Sequence, residues 1–281
     1  MSLSLSILAS GSSGNCSVLR TPGGAILIDC GIGPRAAASR MKSLGIDVDR
    51  IVAICLTHLD SDHFSTTWLG RIASAGIALF CHESRAGDVA RFGDGDAEFA
   101  HMIRTFNGHA FSPIDGVNLK PIRLDHDEQG SHGFLIEGFN SRIGYATDLG
   151  RVSEQLIRQF CGVDVLAIES NYDPQMQIAS DRPWFLKRRI MGGRGHLSNQ
   201  QALETVQQIL DQTHRQRRLL PKHIVLLHRS RQCNCPNLLR ELFSSDPRIA
   251  DRLVLAEQDC ATGWLSAHDR PVYSQLELQW V

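Results

Sequence analysis

Short apolar runs broken by glycine-rich turns open the chain. Leu3–Leu8, Cys16–Leu19 and Ala25–Asp29 are separated by Gly11-Ser12-Ser13-Gly14 and by Pro22-Gly23-Gly24. This predicts three consecutive strands. Pro34–Leu44 reads as a helix that stops at Gly45. Ile51–Leu56 is apolar at every position, as in a strand buried on both faces. Ser65–Ala75 reads as a helix opened by a serine cap, and Ile77–Cys81 as a strand. The second half repeats the theme. Val117–Leu124, Gly133–Glu137 and Arg142–Ala146 are strand-like, with Asn140-Ser141 at a hairpin turn. Val152–Phe160 is an amphipathic helix and Val163–Ile168 a buried strand. Ser198 caps a helix running to about Leu210. His223–Leu227 is a strand, Leu238–Phe243 a helix, and Leu253–Ala256 and Val272–Leu278 late strands. No repeat, low-complexity stretch or linker interrupts the pattern. Strands in two groups, each followed by helices, predict an α/β fold. The expected form is a four-layer αβ/βα sandwich of two mixed sheets flanked by helices, with residues 1–281 as a single domain.

Composition narrows the function classes. The chain has 281 residues, 42% of them hydrophobic, enough for a large core. Lys and Arg number 29 against 30 Asp and Glu, a net charge of −1. That excludes a strongly basic nucleic-acid tail and an acidic disordered chain, and leaves room for a local basic groove. No apolar run approaches the ~18–20 residues of a membrane span, so no membrane association is expected. Met1–Leu8 lacks a basic leading segment and reads as a first strand rather than a signal peptide. Eight scattered cysteines, several inside strand-like runs, fit free thiols in a cytoplasmic protein.

The chemistry concentrates in Thr57-His58-Leu59-Asp60-Ser61-Asp62-His63, directly after the buried run. Two imidazoles and two carboxylates at one strand exit suit Zn, Fe or Mn. A solvated polar loop is the plainer reading, but such clusters are uncommon where a buried strand ends. His126, Asp148 and His228 likewise follow apolar runs. Each alone is an ordinary strand-end polar residue; together they can converge on one edge of the sandwich.

This pattern resembles the metallo-β-lactamase-fold hydrolases, whose hallmark is His-x-His-x-Asp-His. The YycJ/WalJ-like branch is the closer match. It is carried by Ala9–Asn15, Leu27–Gly31, His126-Asp127, Ala146–Gly150, Glu169-Ser170-Asn171-Tyr172-Asp173 and Gly195-His196-Leu197-Ser198-Asn199. The resemblance runs from about Ile7 to about Pro236. It implies two divalent metal ions. His58, the residue at 60 and His126 would hold one, and Asp62, His63 and His228 the other. Asp148 would bridge them, and Asp29 would support the site without touching metal. It further implies a metal-activated hydroxide, oriented by Asp62 or Asp148, and a 5′-to-3′ DNA exonuclease activity.

Two departures stand out. The family's second histidine is Asp60 here. Two divalent ions facing three carboxylates and a hydroxide form a neutral centre, whereas a histidine would leave one positive charge. A neutral centre polarises water less, and the harder donor shifts preference from Zn toward Mn or Fe. The outcomes are a working two-metal site with altered metal choice, a one-metal site, or a weak enzyme; the first fits the otherwise complete ligand set. After His228 the chain reads Cys233-Asn234-Cys235-Pro236, where the family tends to Asn-Asn and Pro. A Cys-x-Cys pair is a weak metal signal and reads more plainly as helix-entry packing.

Around this centre, His196 sits in a glycine-flanked turn, placed to contact a phosphate or to protonate a leaving group. Ser12, Ser13 and Asn15 lie in a turn able to bind an anion, as an alternative to a simple tight connection. Asn171 and Asn234 are further candidates for substrate contact. Lys187-Arg188-Arg189 and Arg194 lie near Trp184 and Phe185, the pairing that a single-stranded nucleic acid needs. Arg215, Arg217 and Arg218 form a second basic cluster, and Arg229 and Arg231 follow a ligand. The leading expectation is a phosphodiesterase acting on DNA, single strands or ends. The alternatives are a metallo-hydrolase of a small ester, thioester or lactone, and a catalytically attenuated metal-binding regulator. Oligomeric state stays open.

Overall fold

The computed structural model describes residues 3–267. The apolar runs of the first half form Ser4–Ala9 (β1), Cys16–Thr21 (β2), Gly24–Ile28 (β3), Ile51–Cys55 (β4), Ala78–His82 (β5) and Ile103–Phe106 (β6). The second half supplies Phe111–Ile114 (β7), Val117–Leu124 (β8), Ser131–Gly138 (β9), Ser141–Ala146 (β10), Val165–Glu169 (β11), His223–Leu227 (β12), Leu253–Leu255 (β13) and Leu265–Ser266 (β14). They make two seven-stranded sheets, ordered β14-β1-β2-β3-β4-β5-β6 and β13-β12-β11-β10-β9-β8-β7. Each sheet is antiparallel in one half and parallel in the other. In the first the change falls at β3, and in the second at β10. Parallel neighbours need crossovers, and helices supply them. Pro34–Ser43 joins β3 to β4, Glu154–Gln159 joins β10 to β11, and Asn199–Arg215 lies between β11 and β12.

Period-two alternation explains why both faces of these strands are buried. Ile26 and Ile28 of β3 meet Val165 and Ala167 of β11 between the sheets. Their neighbours Ala25 and Leu27 face outward onto Met41, Trp68 and Ile72. Leu166 and Ile168 of β11 do the same onto Leu203, Val206 and Ile209. The expected four-layer sandwich of two mixed sheets is the observed architecture.

Local details differ from the sequence reading. The hairpin turn is Phe139-Asn140, with φ of 50° and 57°, and Ser141 already pairs with Gly138. A two-residue loop of this hand requires positive φ at both positions, and asparagine tolerates it better than phenylalanine. Ser65 opens a short 3-10 turn, Thr66–Trp68, before the helix Leu69–Ala75, and its side chain makes no capping bond. Helices Ala86–Phe92, Ala97–Met102, Pro174–Ala179 and Trp184–Met191 were not legible in the pattern, nor were β6 and β7. These elements are short, and β7 contains Pro113 and lies at a sheet edge. The expected strand Val272–Leu278 lies outside the described residues. Among the described residues no helix is long and apolar enough to cross a membrane.

Candidate metal centre

The candidate ligands leave the sheets at strand ends, from β4 of one sheet and from the alternate strands β8, β10 and β12 of the other. His58–His63 follows β4, His126 follows β8, Asp148 follows β10, and His228 follows β12. In open α/β sheets, sites form where parallel strands end at their carboxyl termini. Two of these chain exits bend through the left-handed region, at Asp148 (φ 50°) and His228 (φ 52°), as does Asp29 (φ 59°) after β3. Such a conformation costs an ordinary residue ~1–2 kcal/mol. Here it turns the chain sharply at the strand end. Gly31 braces the metal-binding loop: a Cβ there would sit 1.8 Å from the Asp62 carbonyl oxygen.

The ligand atoms converge. Those of His58, Asp60 and His126 lie within 4.8 Å of one another, as do those of Asp62, His63 and His228. Asp148 Oδ2 spans the two sets, 3.4 Å from His58 Nε2 and 2.5 Å from His63 Nε2. Asp60 is the exposed member, its Oδ2 3.8 Å from His58 Nε2 and 4.0 Å from His126 Nε2.

One nitrogen of each imidazole is anchored in the scaffold, which leaves the other for the centre. His63 Nδ1 lies 2.7 Å from Asp29 Oδ2. His126 Nδ1 lies 2.9 Å from the Gly195 carbonyl, and His58 Nδ1 2.9 Å from Thr57 Oγ1. His58 Nε2 is buried and takes no hydrogen bond. A buried polar atom without a partner costs ~1–3 kcal/mol, so this nitrogen fits a metal ligand. Burial holds the His58 pKa well below its usual value, aided by the neighbouring His63. The neutral form that results is the one a metal needs. Burial also opposes charging of His63 and His228, but the carboxylates around them together outweigh it and both are raised: Asp148 and Asp29 for His63, and Asp148, Asp62 and Glu169 for His228.

Glu169 is a participant to which the sequence assigned no role. It is fully buried at the end of β11, and its carboxylate accepts bonds from the Leu149 and Leu197 amides at 3.1 Å each. Its Oε1 lies 2.7 Å from His196 Nδ1 and 3.0 Å from His228 Nδ1. The signal was present: an acid ending an apolar run, as with Asp148. Burial opposes the charge on His196, yet Glu169 and Asp148 push its pKa up to about 9.

Several candidates fall elsewhere. Asn15 is buried; its Oδ1 accepts the Gly11 amide at 2.8 Å and its Nδ2 lies 2.9 Å from His63 Nε2. Asn234 is spent on Ser170, Asn171 and Asn199, away from the cleft. Ser13 is exposed outside the cleft, its amide donating to Gln258, whereas Ser12 and Asn171 do line it. Cys233 packs against Tyr172 and Ile190, and Cys235 begins the helix Pro236–Ser244. Arg188, Arg189 and Arg194 face the cleft, and Trp184 and Phe185 stand 68% and 73% exposed on the same helix-and-loop segment. Arg218 donates to Cys161 O, and Arg229 and Arg231 pair with Glu257 and Asp259.

Comparison with known proteins agrees with this geometry. The model of the Beta-lactamase superfamily domain matches residues 25–224. The chain is 27% identical over 243 residues to exodeoxyribonuclease YycJ of Bacillus anthracis, covering 85% of this chain and 87% of that protein. It is 28% identical over 237 residues to exodeoxyribonuclease WalJ of Streptococcus pneumoniae, covering 83% and 84%. The metallo-β-lactamase-fold protein YhfI of Bacillus subtilis superposes with a TM-score of 0.65 at 12% identity, covering 92% of this chain and 99% of that one. At that identity the likeness concerns the fold alone. With its two mixed sheets and strand-end His and Asp clusters, the chain belongs to the metallo-β-lactamase-fold hydrolases, as a YycJ/WalJ-like member.

Proposed function

We propose that this hydrolase is a divalent-metal phosphodiesterase that removes nucleotides from the 5′ end of DNA. The observation that carries the reading is the helix Trp184–Met191 beside the ligand cluster. It places Arg188 and Arg189 in the wall of the cleft that holds His58, Asp60 and His126, and exposes Trp184 and Phe185 one turn earlier on the same helix. Aromatic faces stack bases and guanidinium groups neutralise backbone phosphates. The names of the YycJ and WalJ relatives support the same substrate.

In this reading His58, Asp60 and His126 would hold one ion and Asp62, His63 and His228 a second, with the Asp148 carboxylate within reach of both sets. Bound divalent ions supply Lewis acidity and lower the pKa of water. Asp60 favours Mn or Fe over Zn, because a carboxylate is a harder donor than imidazole. Asp62 orients the attacking group. Glu169 grips Nδ1 of His196 and leaves Nε2 to give a proton to the departing oxygen. Arg189, held by Asp127 at the rim, tracks the strand. The ligands come from both sheets, in keeping with residues 1–281 acting as one domain.

The test uses Mn-loaded protein and 5′-labelled DNA. Release of the label as a mononucleotide in the first turnover is expected, with loss of at least about a hundredfold for Asp62→Ala. Binding is expected to weaken steeply with salt, as counterion release requires. Turnover of small esters that ignores salt, with DNA left intact, would replace this reading by the small-substrate one.

A further inference from the structure

The cleft has two lobes that meet at Asp60, His126, Asp127 and Arg189. The smaller, about 280 Å³, lies over Asp62, His196 and His228. The larger, about 760 Å³, runs from His58 and His126 away from the centre, and the metal chemistry does not use its far end.

That far end is a built pouch. Its lining includes the buried side chains of Leu56 and Cys81. Beside them the rings of His82 and His132 stack, centroids 4.5 Å apart and planes 13° from parallel. Both stand edge-on to the buried ring of Phe106, at 5.7 Å and 5.5 Å, which fixes their planes. Arg85 and Arg123 line the same lobe. Arg123 has no carboxylate partner among the described residues. Asp88 is shared between Arg85 and Arg91, so the Arg85 charge is only partly met. The acids of the mouth are Asp60 at the metal centre, Asp127, already paired with Arg189, and Glu128.

We infer that this pouch receives the terminal nucleotide of the strand, with the 5′-phosphate on Arg85 and Arg123 and the sugar and base against the His82–His132 wall. The inference rests on the proposed nuclease reading and names the strand end it requires. Three features point this way. A pouch of this volume falls in the roughly 300–1,000 Å³ range of small-ligand sites, far larger than a phosphate alone needs. Guanidinium forks match phosphate oxygens, and a terminal phosphate carries more charge than an internal diester. Flat imidazoles provide a stacking surface for a base.

The experiment uses the full chain loaded with Mn. Calorimetric titration with deoxyadenosine 5′-monophosphate is compared with deoxyadenosine and with inorganic phosphate. The nucleotide is expected to bind at least about tenfold tighter than either fragment, and Arg85→Ala/Arg123→Ala to lose about tenfold of that affinity. Cleavage of strands bearing 5′-phosphate, 5′-hydroxyl or 3′-phosphate is then compared. The 5′-phosphorylated strand is expected to be cut fastest, and the double variant to lose the preference while hydrolysing bis(p-nitrophenyl) phosphate within about twofold of the parent. Equal nucleotide binding by parent and variant overturns the pouch, as does a preference for 3′-phosphate. Arginine-dependent nucleotide binding without cleavage of any strand keeps the pouch and sinks the nuclease reading. Arg123 is exposed, so Arg123→Gln carries the test if the double variant does not fold; unchanged binding by it also overturns the proposal.

Discussion

The second nitrogen of each imidazole decides what the first can do. Asp29 is fully buried and sits 2.7 Å from His63 Nδ1, while Thr57 donates to it through both N and Oγ1. Burial pushes the Asp29 pKa up, and His63 and Thr57 pull it back. This carboxylate orients His63 toward the centre. Asp29→Asn is therefore expected to lower metal affinity about 10–100-fold, measured by chelator competition; unchanged affinity would mean that packing alone aims the ring. A second residue-scale prediction concerns acid. Burial, helped by the neighbouring His82, lowers the His132 pKa from 6.5 to about 4. Below 6.5 the unfolded chain takes up a proton that the folded chain refuses, so stability falls as pH drops from 6.5 toward 4. Urea midpoints across that window are expected to fall less steeply for His132→Phe than for the parent, and equal slopes would contradict the assignment. Asp148 and His228 were legible in the sequence because each ends an apolar run. Asn15 was legible as a polar turn residue, but its inward direction was not. A turn residue's partners lie at 62 and 63, far along the chain.

Elements were readable where they were long or punctuated. The helix Asn199–Arg215 carries a complete capping box: Ser198 Oγ accepts from the Gln201 amide, and Gln201 Oε1 accepts from the Ser198 amide at 2.9 Å. The sequence placed its start correctly because serine at that position satisfies an otherwise unpaired helix amide. Its end extends beyond the expected Leu210, since polar residues such as Gln212 and His214 continue the helix without adding to the apolar face. The cap also anchors the loop that presents His196. Ser198→Ala is expected to cost about 1 kcal/mol by urea unfolding. No change in midpoint would show that the tertiary bonds of Asn199 to Ser170 and Asn234 hold the helix start on their own. The helix Trp184–Met191 was unreadable for the opposite reason. It is eight residues long and buries only Ile190, so no apolar stripe marks it. Its charges and aromatic rings were visible; that they share one helix was not.

Across the whole molecule, the candidate ions would tie one sheet to the other. His58, Asp60, Asp62 and His63 leave the first sheet, and His126, Asp148 and His228 the second. Ligands that bind only the folded state stabilise it by mass action, about 2.7 kcal/mol at a hundred times Kd. For a chain of this size that is ~5–10 °C. Chelation is expected to lower the melting temperature by that amount, and re-addition of Mn to restore it; a melting temperature indifferent to metal would argue against a site shared by the two sheets. Short apolar runs in two groups, each followed by helical segments, were sufficient for two sheets under outer helices, because each run and its flanking turn residues are neighbours in sequence. Strand-end His and Asp marked the candidate ligands, since each chain exit is local; their grouping came from the family resemblance. Packing of the two sheets decided the rest. It turned Glu169 onto His196 and His228, drew Asn15 and Asn234 into the scaffold, and brought His82 beside His132. Those partners lie far apart in sequence, and no periodicity within one strand encodes which residues of another it will meet.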